Sequence, residues 1–250
     1  MPNLFSKFFP AQKKDLLNFS VLHTDMHAHL LPGIDDGATD ITAALALISG
    51  LQELGFKKCI ATPHIMPGVF DNDADIIFDR QSALNAAALP ALGTEVQAAA
   101  EYFIDESFPE RVRAGEQLLT FGDNYVLVEM SMILREKKLE EAFFEMRLRG
   151  YRPVLAHVER YPYLFDKQQL DEYEKLRDAD VHLQVNLRSF TGNYGEIQKR
   201  IARVLAEHRM ISFLGTDLHN AAQLPILAQA MADGHVQRLM ESGTLLNAML

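Results

Sequence analysis

Two histidines one residue apart mark the stretch of this sequence that is best suited to chemistry. In "TDMHAHLLPGIDDG", residues 24–37, His27 and His29 follow Asp25 and precede a pair of aspartates. A β-strand directs every second side chain to one face, so Asp25, His27 and His29 would point the same way. Burying three such polar groups on one face of an apolar strand is costly unless they bind something. Imidazole and carboxylate together are metal ligands, which makes a metal ion the first candidate.

Histidines and acidic residues recur at the ends of other predicted strands. Any one of them is weak evidence, because a histidine or acid at a strand end is more often structural or solvated. Their recurrence is the signal. Because there are more candidate ligands than one tetrahedral ion can bind, the pattern predicts two or three divalent ions bridged by carboxylates. Besides the first two histidines, the candidates are Asp36, His64, Glu101, Glu129, His157, Asp217 and His219.

The elements that must position these residues alternate regularly. β-rich runs at residues 20–29, 57–64, 95–104, 125–131, 152–160, 181–187 and 211–217 are separated by helical patterns, the first of which spans 41–54 between a cap at Thr39 or Asp40 and Gly55. Such alternation predicts a parallel sheet with right-handed crossovers. Chemistry-bearing residues at the ends of at least five strands favour a closed barrel over an open doubly wound sheet. We therefore predict an α/β fold, a distorted seven-stranded TIM-like barrel.

Composition limits the function classes. The chain has 250 residues, is 48% hydrophobic and 23% charged, and carries a formal net charge of -10, which argues against a general nucleic-acid surface. Its single cysteine, Cys59, excludes an intramolecular disulfide and is expected to be buried and inert. No apolar run reaches the length of a membrane span and the N-terminus is a poor signal peptide, so we expect a cytoplasmic protein. We predict an N-terminal extension at residues 1–20, whose apolar arm at 1–12 could touch a partner or a membrane, and one domain at 21–250.

Read in order, the motifs resemble a known family. "TDMHAH", "ATPH", "AAEYFID", "YVLVEM", "VLAHVER" and "FLGTDLHN" are similar to the successive motifs of the polymerase-and-histidinol-phosphatase superfamily. Closer still is its bacterial protein-tyrosine-phosphatase branch, which includes the capsule-regulating phosphatases of Gram-positive bacteria. "DDG" and "AHVER" favour this branch over the histidinol phosphatases. The resemblance runs from about residue 23 to about residue 245.

The resemblance implies a distorted (β/α)7 barrel with a trinuclear, manganese-dependent site, iron and zinc being the alternatives. It also implies hydrolysis of phosphotyrosine in the tail of a bacterial tyrosine autokinase that controls exopolysaccharide export, with contact to a membrane-bound kinase but not to nucleic acid. By position, Arg160 matches an arginine that grips the phosphoryl group, and Asp25 is assigned as a catalytic residue that orients a ligating histidine. The matched metal ligands are His27, His29, Asp36, His64, Glu101, Glu129, His157, Asp217 and His219.

Some positions depart from the family pattern or leave alternatives open. Leu224 stands where a second phosphate-binding arginine is expected, Val158 replaces a usual proline, and Glu95 competes with Glu101 for one ligand position. Cysteine-based phosphatase chemistry is excluded, because Ile65 rather than arginine follows six residues after Cys59. A small-metabolite phosphatase (such as a histidinol phosphatase), a phosphodiesterase and a metal-stabilised binding scaffold without turnover remain alternatives. A phosphotyrosine enzyme needs walls for the ring, and the candidates at strand ends are Phe70, Tyr102, Phe103, Tyr161 and Phe190.

Overall fold

A computed structural model of the chain describes residues 17–165 and 170–250. The apolar arm predicted at residues 1–12 lies outside the described residues. Each of the seven predicted β-rich runs contains a strand, and neighbouring strands pair in parallel, which confirms the parallel α/β fold. The strands are β1 (Thr24–Ala28), β2 (Lys58–Ala61), β3 (His64–Ile65), β4 (Val96–Ala98), β5 (Glu101–Phe103), β6 (Tyr125–Glu129), β7 (Arg152–Leu155), β8 (His182–Asn186) and β9 (Phe213–Gly215).

Two of the predicted strands are interrupted. The run at 57–64 divides into β2 and β3 around Pro63, and the run at 95–104 divides into β4 and β5. Proline has no N–H with which to continue a ladder, but its carbonyl oxygen accepts a hydrogen bond of 3.0 Å from the backbone N–H of Glu101. Beyond this point β3 pairs with β5, and His64 stands directly opposite Glu101. The interruption therefore brings two predicted ligands side by side.

The strands form two sheets, with the orders β1-β2-β4 and β3-β5-β6-β7-β8-β9. They approach each other at the carboxyl end of β1, where Ala28 forms a parallel bridge with Leu218, just after β9. Backbone hydrogen bonds from Asp217 N to His27 O (2.8 Å) and from His29 N to Leu218 O (3.0 Å) hold the two segments together. The first and last groups of predicted ligands are thus neighbours in space.

Helices cover the sheets. The first, α1, spans Ile41–Leu54 as predicted, because the Asp40 side chain accepts a hydrogen bond from Ala43 N at its start and Gly55 follows its end. It buries Leu47, Ile48 and Leu51 in the core, and none of the helices in the described part of the chain combines the length and hydrophobicity that a membrane span needs. The other helices are α2 (Ala74–Leu92), α3 (Phe108–Ala114), α4 (Leu139–Leu148), α5 (Asp171–Asp178), α6 (Glu196–Glu207), α7 (Leu224–Ala230) and α8 (Gly234–Glu241).

The single thiol belongs to the core. Cys59 lies in β2 with 5% of its surface exposed and forms no disulfide. Burial, followed by the nearby Asp25 carboxylate, raises the pKa of the Cys59 thiol, so the reactive thiolate is disfavoured. The prediction of a buried cysteine is confirmed.

The opposite, amino-terminal ends of β1 and β9 are joined by a side chain. Asn247 is fully buried, and its Oδ1 accepts a hydrogen bond of 2.9 Å from Leu214 N. Its Nδ2 donates to Leu214 O (2.7 Å) and to Thr24 O (3.1 Å). One amide thus satisfies backbone groups of both strands at a place where they do not pair directly.

Replacing Asn247 by alanine should lower the free energy of unfolding by about 2–4 kcal/mol, because buried backbone groups lose their partners. Urea denaturation of Asn247→Ala is to be compared with Met249→Ala, which removes a side chain that is 80% exposed nearby. Equal unfolding midpoints for the two variants would contradict the structural role of Asn247.

Candidate metal centre

The nine predicted ligands meet at the carboxyl ends of the strands. They fall into four overlapping groups, and within each group one ligand atom per residue lies within 4.8 Å of the others. Eight of the nine are buried or partly buried, and Asp36, at 58% exposure of its side chain, faces the opening. The groups are His29, Asp36, His64 and His219; His27, His29 and Asp217; His27, Glu101 and His157; and His64, Glu101 and Glu129.

The Glu101 carboxylate stands at the centre of the cluster and is fully buried. Its Oε2 lies 3.2 Å from His27 Nε2, 3.4 Å from His29 Nε2 and 3.3 Å from His64 Nδ1. Its Oε1 lies 2.9 Å from His157 Nε2. One carboxylate facing four imidazoles has the arrangement of a bridging ligand. The competing residue, Glu95, is exposed at the other end of this strand pair and takes no part in the cluster.

The two oxygens of Asp217 face different surroundings. Oδ1 faces imidazoles and lies 3.5 Å from His27 Nε2 and 3.6 Å from His29 Nε2. Oδ2 accepts hydrogen bonds from Asn186 Nδ2 (2.7 Å) and Tyr194 OH (2.9 Å). Asp217 also adopts a left-handed backbone conformation, with φ of 51°, which is uncommon for a residue other than glycine. The backbone and two donors thus fix the direction in which Oδ1 points.

Charge compensation dominates the pKa values of His27 and Glu101. Burial lowers the pKa of His27, but the facing carboxylates of Glu101 and Asp217 outweigh it and raise the pKa to about 9. Burial likewise raises the pKa of Glu101, yet the surrounding imidazoles hold it well below its usual range. The Glu101 carboxylate therefore stays charged and needs a positive partner, which is a proton on imidazole or a divalent cation.

The donor set fits a metal better than it fits an internal hydrogen-bond network. The buried atoms His29 Nε2, His64 Nδ1 and Glu129 Oε1 form no well-aligned hydrogen bond within the described part of the chain, although His64 Nδ1 and Glu129 Oε1 lie only 3.0 Å apart. Unpartnered buried polar atoms are rare in folded proteins and call for a specific explanation. Nitrogen and oxygen ligands without sulfur suit Mn²⁺, Fe or Zn²⁺.

Two further residues orient the imidazoles, and sequence reasoning did not identify them. Asp35 Oδ2 accepts a hydrogen bond of 2.8 Å from His29 Nδ1, which leaves Nε2 of that ring facing the cluster. Gln184 Oε1 accepts from His27 Nδ1 (3.0 Å) and from the backbone N–H of His157 (2.8 Å). Asp35 belongs to the "DDG" pair, of which only its neighbour Asp36 is a predicted ligand. The residue type of Gln184 does not indicate a role at a metal site.

Asp25 makes different contacts from those expected of it. Its carboxylate accepts hydrogen bonds from Thr216 Oγ1 (2.6 Å) and Thr216 N (3.1 Å), and it approaches the backbone N–H of His27 at 3.5 Å. These contacts involve no imidazole ring among the described residues. Burial raises the pKa of Asp25 to about 6 against the lowering effect of these bonds. Asp25 thus supports the backbone next to Asp217, and its catalytic role stays a prediction.

A cavity of about 460 Å³ opens onto the cluster. Met66, Phe70 and Met132 form apolar parts of its lining, and the Phe70 ring stacks on His64 with the ring centroids 5.3 Å apart. Of the proposed ring-pocket residues Phe70 alone lines this cavity in the described structure. The other four pack elsewhere: Phe103 is partly buried, and Tyr102, Tyr161 and Phe190 are buried.

Two guanidinium groups line the same cavity. The Arg160 side chain is 30% exposed there, and its Nη1 lies 3.4 Å from Asp217 Oδ2. Arg188 lies two residues after the end of β8 and is buried. It donates hydrogen bonds from Nη2 to Asp217 O (2.6 Å) and from Nε to Thr216 O (3.3 Å). Its place just beyond a predicted strand was a signal that sequence reasoning did not use.

Position 224, at which a second phosphate-binding arginine is expected, lies in the core of this fold. Leu224 begins α7 and is 7% exposed. Its side chain packs so closely on α1 that a Cβ atom added to Gly50 would lie 2.3 Å from Leu224 Cδ1. A long cation does not fit this contact without rearrangement, and the cavity obtains its second guanidinium from Arg188.

Comparisons with known proteins give a matching family model and similar sequences. The family model described as "Capsular polysaccharide synthesis, CpsB/CapC" matches residues 23–242. The tyrosine-protein phosphatase YwqE of Bacillus subtilis (strain 168) is 29% identical over 206 residues, which are 78% of this chain and 77% of YwqE.

Solved structures extend the comparison to the fold. One described as YwqE from Bacillus subtilis and CpsB from Streptococcus pneumoniae, unique metal-dependent tyrosine phosphatases, matches with a TM-score of 0.77 and 25% identity, covering 89% of this chain and 93% of that one. The histidinol phosphate phosphatase of Lactococcus lactis, with zinc, L-histidinol and phosphate, matches with a TM-score of 0.52 at 14% identity, covering 84% of this chain and 93% of that one. At that identity the second match concerns the fold alone.

Asp35→Ala should weaken divalent metal binding about 10- to 100-fold, because the His29 ring loses the acceptor that orients it. Competition with a chromogenic chelator measures this affinity. Asp123→Ala is the matched control, since Asp123 lies far from the cluster, with 83% of its side chain exposed beside Arg152. Equal affinities for both variants would show that Asp35 does not support the centre.

Proposed function

We propose, since the chain belongs to the CpsB/CapC family of capsular polysaccharide synthesis, that it is a metal-dependent protein-tyrosine phosphatase. The observation that carries the proposal is the meeting of buried histidines and carboxylates with Arg160 at one cavity. The relationship to YwqE, a tyrosine-protein phosphatase, supports the substrate class. The centre can do this chemistry without a nucleophile from the protein, which agrees with a buried, unreactive Cys59.

The nine clustered residues are the proposed ligands of two or three divalent ions, manganese first, with iron or zinc as alternatives. Such ions supply Lewis acidity for the phosphoryl oxygens and lower the pKa of water so that it can act as the nucleophile. Glu101 and Asp217 then bring negative charge to the centre, while Asp35 and Gln184 keep the imidazole rings in place. With three ions, a charge of +6 would exceed the -4 of the four ligand carboxylates, and this excess suits a phosphate dianion even though the chain as a whole is acidic.

Arg160 is the proposed contact to the phosphoryl group. Its side chain reaches the cavity and keeps part of its surface exposed, so its guanidinium is able to form charge-assisted hydrogen bonds with the substrate. The Phe70 ring and the side chains of Met66 and Met132 offer apolar walls for the phenyl ring of phosphotyrosine. A phenolate leaves readily, so a general acid matters little for this ester.

We further propose that the strands close into a distorted (β/α)7 barrel within one domain at residues 21–250. Counting the interrupted pairs β2/β3 and β4/β5 as single strands gives seven, and the contact between β1 and the segment after β9 supports closure. In this arrangement the site occupies the carboxyl-end mouth, where barrel enzymes carry their active sites.

The proposed partner is the phosphotyrosine-bearing tail of a tyrosine autokinase. We propose that the two proteins meet in the cytoplasm and that the kinase can be one that is bound to the membrane. Family membership in capsular polysaccharide synthesis supports this choice. The alternative of a metabolite phosphatase rests on the shared fold with histidinol phosphate phosphatase. The apolar lining beside His64 favours an aromatic ester over a small polar one.

Chemistry and substrate binding should separate in two variants. Asp217→Ala should lose bound metal and with it the hydrolysis of every ester, including p-nitrophenyl phosphate. Arg160→Ala should keep its metal and weaken phosphate binding by about 1.5–3 kcal/mol, the contribution of hydrogen bonds to a charged group. Metal analysis and steady-state kinetics distinguish the two, with the exposed Arg177→Ala as control. Loss of metal in Arg160→Ala would refute its assignment to the substrate.

Phosphotyrosine should be hydrolysed with a kcat/KM at least about tenfold higher than phosphoserine, a difference of about 1.4 kcal/mol, because only its ring fills the apolar part of the cavity. The measurement compares both esters with histidinol phosphate at the same manganese loading and after removal of metal by a chelator. All three rates should fall when metal is removed and recover when Mn²⁺ returns. A preference for histidinol phosphate would overturn the substrate class and leave the metal centre standing.

A further inference from the structure

Tyr194 reaches the site from a short turn that follows β8. The turn connects a 3-10 helix at Leu187–Thr191 to α6, and Gly192 and Gly195 on either side of Tyr194 have φ of 87° and 111°. Glycine adopts these φ values readily, whereas other residues do so at a steric cost. The two glycines therefore allow the tight turn that carries the Tyr194 side chain. Tyr194 lines the cavity but is not among the proposed metal ligands.

The Tyr194 ring contacts both guanidinium groups of the cavity. The Arg160 Cζ lies 4.8 Å from the ring centroid and the Arg188 Cζ lies 4.9 Å from it. These distances are in the range of cation–π interactions, which strengthen when the pair is shielded from water. The Tyr194 hydroxyl donates to Asp217 Oδ2 (2.9 Å), the oxygen that Arg160 also approaches.

The two arginines depend on this ring to different degrees. Arg188 is held by carbonyl oxygens of Thr216 and Asp217 and by Asn193 Oδ1, so it has firm partners without the ring. Arg160 has one long hydrogen bond of 3.4 Å within the described structure, and its side chain is partly exposed. A flexible arginine with so few polar partners would leave its binding position often unless another contact restrained it. The ring of Tyr194 is that contact.

We propose that Tyr194 is a positioning residue that holds the Arg160 guanidinium over the cavity, ready for the phosphoryl group of a monoester. The inference rests on the proposed phosphatase function and gives the ring of Tyr194 a role separate from the hydrogen bond that its hydroxyl donates to Asp217. Tyr194 touches the arginine through its aromatic face, so the face rather than the hydroxyl carries the effect. Binding is strengthened because the guanidinium is ordered before the phosphate arrives.

A double-mutant cycle between Tyr194 and Arg160 tests the proposal. The measured quantities are the dissociation constant of inorganic phosphate by calorimetry, bound metal, and KM and kcat for p-nitrophenyl phosphate. Tyr194→Leu should raise the phosphate dissociation constant and KM about tenfold, as expected for one shielded cation–π contact, with full metal content and a much smaller change in kcat. Tyr194→Phe, which keeps the ring, should restore phosphate affinity to within about threefold of the wild type. In the Arg160→Ala background, Tyr194→Leu should have no further effect.

Three results would overturn the proposal. Equal losses in Tyr194→Leu and Tyr194→Phe would assign the effect to the hydroxyl on Asp217. A full effect of Tyr194→Leu without Arg160 would show that the two do not act together, and loss of metal would assign Tyr194 to the metal centre. Tyr194→Met repeats the test if the leucine variant does not fold, and Tyr151→Leu, at the opposite end of the strands, controls for loss of a tyrosine. Phosphate binding with the expected pattern but no ester hydrolysis would refute the phosphatase function and retain the role of Tyr194.

Discussion

The carboxylate of Glu101 imposes the constraint from which the rest of this structure follows. A charged group without solvent contact is unstable in a protein interior unless positive groups surround it. Four imidazoles do so here, and they come from three separate strand ends: His27 in β1 with His29 just after it, His64 on β3, and His157 after β7. The fold must therefore bring these ends to one point. The interruption at Pro63 serves this requirement, because it sets His64 in register with Glu101.

Orientation is the second requirement. A histidine binds a metal through one nitrogen, so the other nitrogen needs an acceptor that fixes the ring. Asp35 and Gln184 provide it for the first two histidines. Asp217 meets the same need with its two oxygens, one toward the imidazoles and one toward Asn186 and Tyr194. One donor to the second oxygen is the last residue of β8, and the other lies in the segment after β8 that also carries Arg188. The proposed metal ligands and the two cavity arginines are in this way linked through the carboxylate of Asp217.

The sequence indicated which side chains would lie together, because strand ends are readable from local patterns. Alternating runs located all seven strand regions, and the residue types after them gave the nine residues that the structure brings together. The supporting residues were not predictable in the same way. Gln184 matters because of its partner 157 positions away, and no local pattern encodes such a pairing.

Two expectations about the substrate end of the site depended on side-chain packing, which a sequence pattern does not show. The absence of arginine at position 224 suggested an incomplete substrate site, but position 224 packs against Gly50 in the core, and Arg188 supplies a cation from another loop. Likewise, aromatic residues at strand ends looked equivalent in the sequence. Phe70 lines the cavity, whereas Tyr161 and Phe190 are buried and do not line it. Side-chain direction after a strand end depends on loop geometry, which the sequence pattern does not specify.

The bridge that Asn247 makes between β1 and β9 has a consequence for how the protein is made in the cell. Its contact to Thr24 spans 223 residues of chain. At ribosomal speeds of about 5–20 residues per second, β1 waits on the order of ten seconds or more for this partner to be synthesised. During that time the apolar face of β1 and its histidines lack their last neighbours, Asp217 and His219 included, and are open to chaperones and to aggregation. The complete set of nine clustered residues therefore exists only after His219 has been synthesised, so the full proposed metal centre cannot guide the folding of the first strand.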